Sequence, residues 1–267
     1  MVKIAVAGAK GHMGRMIIDA VWNTEGAELV AALAHKGTDK WEADEDAGAA
    51  LGYNTGVKIT DDYSVLRTSG AQVLIDFTRP EGTKEFLKLC SDAGIGMVIG
   101  TTGLDAEGKA AIEEAAKVIP IVFSPNMSAG VNVTYKLLEL AAKLLKDYDA
   151  EIFEMHHNRK VDAPSGTAIA MGKAIADARG QNFEEVAVWA RQGHTGPRVP
   201  GSIGFAALRG GDVVGDHQVT FAGSGERIVI SHLSSSRAGY AQGAVKAALW
   251  EADKKPGLYS MSDVLGL

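Results

Sequence analysis

The chain has 267 residues, 46% of them hydrophobic and 22% charged, the balance of an ordinary soluble protein with room for one large domain or two modest ones. A formal net charge of -6 offers no basic surface to nucleic acid, and no apolar stretch approaches the ~20 residues of a transmembrane helix. A single cysteine, Cys90, excludes an intrachain disulfide, and the N-terminus enters a strand pattern without the layout of a signal peptide, so a cytoplasmic protein working on a small molecule is expected.

Lys3 to Ala7 is a short apolar run, followed by a glycine turn and a helix with Met16, Ile17, Ala20 and Val21 on one face. Leu29 to Leu33 reads as a second strand. QVLIDFT (72–78), GMVIGTT (96–102) and IPIVFSP (119–125) are three more, separated by the amphipathic patterns EGTKEFLKLCSDAG and DAEGKAAIEEAAKV. Strands apolar on both faces and alternating with helices predict an α/β, Rossmann-like doubly wound parallel sheet.

The second half has a different rhythm. A helix over residues 130–146 leads into EIFEMHHNRKVDAPSGTA (151–168), and a further helix runs on from Ser165. VAVWARQ, IGFAAL, DHQVTF and ERIVISHL then follow, separated by the glycine-rich turns GHTGPRVPGS, RGGD and AGSGE. Successive strands joined by polar turns predict a second, α+β domain with a mixed or antiparallel sheet. A last helix is expected over 238–251.

VAGAKGHMGRM places Gly8, Gly11 and Gly14 at the first strand-to-helix junction, spaced GxxGxxG. Glycine lets the backbone approach a pyrophosphate there, and the helix N-terminus supplies free N–H groups, so the turn predicts dinucleotide binding over a purely steric role. At the end of the second strand, where a carboxylate would select NAD, the sequence reads AALAHKGTDK. Ala34 carries no charge, His35 and Lys36 follow, and Lys10 adds a further positive charge, which favours NADPH or use of both nicotinamides over a solvated basic turn. Ligands of open parallel sheets bind outside the carboxyl ends of the strands. Those ends carry Asp76 to Pro80, Gly100-Thr101-Thr102-Gly103 and Ser124-Pro125-Asn126-Met127.

Three readings compete for residues 151–168. A metal site is disfavoured, because adjacent histidines on a strand point to opposite sides and no HxH, HExxH or second cysteine accompanies them. A polar surface loop is the plainest alternative. The third reading is an anion-binding general-acid site. Ser165 has the form of a helix cap, the Gly166 and Thr167 amides at such a helix start would suit a carboxylate, Lys160 can bind an anion or donate a proton, and a histidine titrates near neutrality.

The same stretch resembles the signature of the 4-hydroxy-tetrahydrodipicolinate reductase (dihydrodipicolinate reductase) family, which serves the diaminopimelate route to lysine. The resemblance covers nearly the whole chain through VAGAKGHMG, DFTRP, GTTG, SPNMSAGVN, EMHHNRKVDAPSGTA, GHTGPRVPGSIGF, SSSR and GLYSMSDVLGL. It implies that His156 is the proton donor and that Lys160 is a second donor which also meets the substrate. It also implies that His157, Gly166, Thr167 and Arg237 bind the cyclic dicarboxylate. The cofactor segments it implies are Gly8-Ala9-Lys10-Gly11-His12-Met13, Gly100 to Thr102 and Ser124 to Met127. At Ala34 and His35 the chain departs from members that carry an acidic residue and an arginine, which sets strong NADH preference aside. The resemblance further implies a dinucleotide-binding domain over 1–127 and 238–267 and a substrate-binding and oligomerisation domain over 128–237. That second domain's sheet would build a homotetramer, and domain closure over both ligands is expected.

Two other readings fit parts of the pattern. A semialdehyde dehydrogenase of the aspartate pathway would need a nucleophilic cysteine, and Cys90 sits in a helical pattern that suits a small buried residue instead. A nicotinamide-sensing regulator without catalysis would need a DNA-binding or partner module, of which the acidic chain gives no sign.

Overall fold

The computed structural model describes residues 1–35 and 45–267, so Lys36 lies outside the described residues. The chain divides into two units, Met1–Ala129 with Ala238–Leu267, and Gly130–Arg237.

In the first unit β1 (Val2–Ala7), α1 (His12–Trp22), β2 (Ala27–Leu33), β3 (Ile59–Thr60), α2 (Val65–Thr68), β4 (Val73–Asp76), α3 (Pro80–Ala93), β5 (Gly96–Ile99), α4 (Ala106–Ala115) and β6 (Pro120–Phe123) follow one another. The second unit holds most of α5 (Ala129–Leu144), then β7 (Asp149–His156), α6 (Gly166–Arg179), α7 (Phe183–Val186), β8 (Ala187–Val188), β9 (Ile203–Arg209), β10 (Gly215–Ala222) and β11 (Arg227–Ser234). The chain then re-enters the first unit with α8 (Ala238–Glu251), β12 (Gly257–Tyr259) and α9 (Met261–Leu265).

The first unit's seven strands pair in parallel in the order β12-β6-β5-β4-β1-β2-β3. Strand periodicity makes β1 serve two cores. Ile4 and Val6 pack with Ile17, Ile18 and Val21 of α1 and Ala244, Val245 and Ala248 of α8. Ala5 and Ala7 face the opposite layer of Leu66, Phe86, Leu87 and Ile112. Burial on both faces is why these strands read as continuous apolar runs.

The α1 helix starts close against β1. Gly8 adopts φ 72°, the left-handed region, and a Cβ on Gly14 would lie 2.0 Å from the Gly8 carbonyl oxygen. Both positions therefore require glycine, the first for conformation and the second for approach. At the far end of α8 the Glu251 carboxyl is fully buried, accepting the Val122 N–H at 3.2 Å.

The second unit's sheet is mixed, in the order β11-β10-β7-β9-β8. β7 pairs in parallel with β9 and antiparallel with β10. Its residues alternate strictly, Ala150, Ile152, Glu154 and His156 being buried and the intervening ones half-exposed. Ile152, Val219, Phe205 and Phe221 build a core with Leu138 of α5 and Met171 and Ile175 of α6. The expected strand over VAVWARQ shrinks to Ala187–Val188. Beyond it Arg191 and Arg198 fold back onto the carboxylate of Glu151, and Arg198 also reaches Asp149.

Candidate active site

The first strand-to-helix turn opens into a cavity of about 760 Å³ lined by Gly8, Lys10, Gly11, His12, Met13 and His35, with Thr78 and Arg79 of the next strand end. α1 begins at Gly11 with no side-chain cap and no acidic residue in its first turn, so its amides are left for an anion. A bare helix start, glycine at the two positions whose geometry requires it and a large cavity fit a dinucleotide, whose pyrophosphate Gly8 to Met13 would hold. Ala9 is buried behind the turn, donating its N–H to Leu33 at 2.9 Å. Ala34, at the end of β2, places no carboxylate on the cavity wall, and the Lys10 ammonium pairs with Glu45.

Asp76 locks the end of β4. Its buried carboxylate accepts the Thr78 N–H at 2.9 Å and the hydroxyls of Thr78 and Thr83 at 2.6 and 2.5 Å. Burial raises this carboxyl above the ordinary range, partly opposed by those hydrogen bonds. Gly100, Thr101 and Thr102 follow β5, and Thr101 is buried while Thr102 is exposed. After β6 the loop ties itself down: the Ser124 hydroxyl donates to the Asn126 carbonyl at 2.8 Å and the Asn126 side chain accepts the Ser128 N–H at 2.9 Å. Pro125 is exposed and Met127 buried. None of these five positions, Gly100 to Thr102 or Ser124 and Asn126, lines the cavity at the glycine turn.

In the second unit, the C-terminal end of β7 brings a polar network onto the core-facing side of the sheet. His156 Nδ1 lies 2.6 Å from Glu154 Oε2. Arg209, opposite His156 in the β7–β9 register, donates to both oxygens of Glu154 at 2.8 and 2.9 Å. The Ser165 N–H adds a fourth donor at 3.1 Å. Ser165 also caps α6, its hydroxyl accepting the Ala168 N–H at 3.1 Å, an arrangement worth about 1 kcal/mol to a helix. That cap leaves the Gly166 and Thr167 amides at the helix start. His217, opposite Glu154 in the β7–β10 register, lies edge-on to His156 with ring centroids 5.1 Å apart, its Nε2 2.8 Å from the Ser165 hydroxyl.

The loop after β7 is cationic. His157 is pushed below its ordinary value by partial desolvation and by Arg159, Arg237, His156 and Lys160 around it. Lys160 donates to both oxygens of Asp162 at 2.7 Å, which holds that carboxyl low. Burial would raise the Glu154 carboxyl, but hydrogen bonds from Arg209 and His156 outweigh it and keep Glu154 below the usual carboxylate range. Burial and the neighbouring His156 push His217 down to about 4, so its ring is neutral near pH 7.

His156, His157, Lys160, Gly166, Thr167 and Arg237 thus all belong to the second unit, within or beside this network. Arg209, His217 and the full role of Glu154 escaped the sequence reading. The signal for His217 was present: in DHQVTF it occupies the buried phase shared by Val219 and Phe221. Cys90 is completely buried and desolvation raises its thiol, so it offers no nucleophile and removes the basis for the semialdehyde dehydrogenase reading. Among the described residues no three His, Cys, Asp or Glu side chains gather to hold a metal, and no helix is long and apolar enough to cross a membrane.

Known proteins match along the whole chain. Residues 2–127 match the family model "Dihydrodipicolinate reductase, N-terminus" and residues 130–265 match "Dihydrodipicolinate reductase, C-terminus". The 4-hydroxy-tetrahydrodipicolinate reductase of Cupriavidus metallidurans is 59% identical over 266 residues, covering 99% of each chain. That of Ralstonia nicotianae is 56% identical over 268 residues, covering 99% of this chain and 100% of the relative. Among solved structures, the dipicolinate-bound dihydrodipicolinate reductase of Paenisporosarcina sp. TG-14 superposes with a TM-score of 0.78 at 27% identity, covering 97% of both chains. A probable dehydrogenase of Thermotoga maritima, at 11% identity and a TM-score of 0.63, shares the fold. The chain belongs to the dihydrodipicolinate reductase family, NAD(P)H-dependent oxidoreductases of the diaminopimelate route to lysine.

Proposed function

We propose that this protein reduces 4-hydroxy-tetrahydrodipicolinate, by way of its dehydrated form dihydrodipicolinate, to tetrahydrodipicolinate. One hydride and one proton are added, and water leaves from the 4-hydroxy form. The observation that carries the chemistry is the Glu154–His156 pair, 2.6 Å apart, beside a helix start and three further cations. NADPH or NADH, when bound, supplies the hydride that reaches C4 of the cyclic conjugated imine. Gly8 to Met13 would hold the nucleotide, with the loops at Gly100 to Thr102 and Ser124 to Met127 toward the nicotinamide. With Ala34 in place of a carboxylate, NADPH is accepted at least as well as NADH.

The chain's own residues do the rest. One substrate carboxylate rests on the Gly166 and Thr167 amides and Lys160, and the other meets Arg237, with His157 against the ring. This cationic setting stabilises the negative charge that develops as hydride arrives. His156, held at Nδ1 by Glu154, then gives a proton from Nε2 to the enamine-like anion, with Lys160 as the second donor.

The first unit is read as the dinucleotide-binding domain and the second as the substrate-binding and oligomerisation domain, in a cytoplasmic homotetramer. Leu208, Val229 and Leu233 support the assembly. They stand exposed on the sheet face opposite the core, in register with Met155, Thr220 and Asp216.

The test is the fall in nicotinamide absorbance when pyruvate, aspartate semialdehyde and the upstream synthase are supplied, run with NADPH and with NADH. His156→Gln should lower turnover by about 10²-fold or more while leaving NADPH affinity unchanged. Equal loss of NADPH binding and turnover would contradict the role given to His156.

A further inference from the structure

Adjacent to the proton donor, Glu154 is almost completely buried yet fully engaged. Its two oxygens receive His156 Nδ1, both terminal nitrogens of Arg209 and the Ser165 N–H, at distances from 2.6 to 3.1 Å. Arg209 is fixed in turn, donating to the Asp162 carbonyl at 2.7 Å. A carboxylate with four donors accepts the histidine's Nδ1–H and no other arrangement of that ring satisfies it. His156 Nε2 then has no protein partner among the described residues. It reaches toward Gly215, where a Cβ would stand 3.0 Å from it, so glycine there keeps the space open.

We propose that Glu154 and Arg209 are positioning residues for proton delivery: Glu154 sets the His156 ring with Nε2 toward the substrate, and Arg209 anchors that carboxylate and offsets its charge. The proposal rests on the reading that His156 gives the proton. Arg209 shares the carboxylate with His156 and so offsets the anion that the ring's Nδ1 meets at 2.6 Å.

The groups facing His156 are Glu154 from its own strand, Arg209 from β9, His217 from β10, and His157 and Lys160 from the following loop. His217 is neutral and carries no opposing charge. The Lys160 charge is largely met by Asp162. Glu154 and Arg209 therefore act on the ring in opposite senses.

The two charges predict opposite pH profiles, which a merely structural role would not produce. In Glu154→Gln the ring loses its stabilising anion, so the basic limb of kcat/KM moves to lower pH. In Arg209→Met the anion acts unopposed and the limb moves to higher pH, each by about one unit or more. Both variants should lose kcat by about 10- to 100-fold, with NADPH affinity at the wild-type value. The ring itself is read in the wild-type protein, without substrate, by long-range 1H–15N correlation of 15N-histidine-labelled enzyme, the His156 signal being assigned by its absence from His156→Gln. Measured at a pH above the basic limb, where the ring is neutral, a proton on Nδ1 supports the proposal. A neutral ring with its proton on Nε2, or limbs that move in the same direction or not at all, overturns it. Absence of NAD(P)H oxidation by the wild-type enzyme would instead strike the reductase reading, and the ring measurement separates the two failures.

Discussion

Replacing Gly14 by alanine adds one methyl group at the tightest point of the nucleotide turn. The new Cβ would stand 2.0 Å from the Gly8 carbonyl oxygen, 2.7 Å from its carbon and 3.0 Å from Ala9 Cα, all backbone atoms that no rotamer change can clear. Restoring an ordinary contact requires α1 to lift from β1 by roughly 1.4 Å, judged against normal carbon contact distances. Overpacking of this kind costs about 1–3 kcal/mol, offset by up to about 1 kcal/mol from alanine's better helix propensity. With the full offset, a net loss of about 0–2 kcal/mol in folding stability follows. Binding should suffer more, because the α1 amides that face the pyrophosphate move with the helix. Losing one or two amide contacts to the charged pyrophosphate, each worth about 1.5–3 kcal/mol, corresponds to roughly a 10²-fold loss, about 2.7 kcal/mol, in NADPH affinity. Fluorescence titration with NADPH and urea unfolding of the same preparations measure both quantities. A folded Gly14→Ala protein that binds NADPH within threefold of wild type would show that the α1 amides do not carry the pyrophosphate. Gly166→Ala provides the contrast: its Cβ meets nothing within 4 Å, so stability should be unchanged or slightly raised.

Two further outcomes follow from buried groups. Glu251 is held well above its ordinary value by desolvation, opposed only in part by the backbone N–H groups of Val122 and Met97. The unfolded chain ionises first, so stability falls as pH rises above the usual glutamate value and stops falling once the folded carboxyl ionises. Glu251→Gln removes that slope. Its stability relative to wild type should grow by up to about 1.4 kcal/mol per pH unit in urea titrations from pH 5 to 8, and a constant difference would contradict this. Cys90, desolvated in the layer of Leu87 and Phe86, should resist a thiol reagent in the folded protein and react stoichiometrically in denaturant. Rapid native labelling would place it outside the core.

The glycine turn was legible because its geometry admits no other residue type at Gly8 and Gly14, and backbone requirements of that kind are written directly in sequence. The parallel strands were legible because both faces are buried, which leaves apolar runs such as VLID and GMVI. Edges were not. Three residues, Gly257–Tyr259, complete the first sheet as β12 solely by lying beside β6, and such a segment has no pattern of its own. VAVWARQ looked like a strand, but Arg191 and Arg198 draw the chain onto Glu151, and that pairing depends on where β7 lies. The site shows the same division. His156, Lys160, Gly166 and Thr167 are close in sequence, and the run from Ser165 has the form of a helix start. Arg209 and His217 join them only through the β7–β9 and β7–β10 registers, which no local pattern states. Lys36, expected to favour the 2′-phosphate of NADPH, falls outside the described residues.

His156 and His157 sit in different surroundings. His156 is the last residue of β7 and faces the core side toward Glu154, whereas His157 lies in the loop beyond, among Arg159, Lys160 and Arg237. One histidine is held by an anion and the other stands among cations, the arrangement on which the proposed proton delivery rests.

The most direct measurement is the fate of deuterium from NADPH deuterated at the transferable C4 position of its nicotinamide. With freshly generated substrate and this enzyme, one deuterium is expected at C4 of the tetrahydrodipicolinate ring, with the second added hydrogen drawn from solvent, as read by NMR of the product. Product without deuterium, or with the label at another ring position, would contradict it.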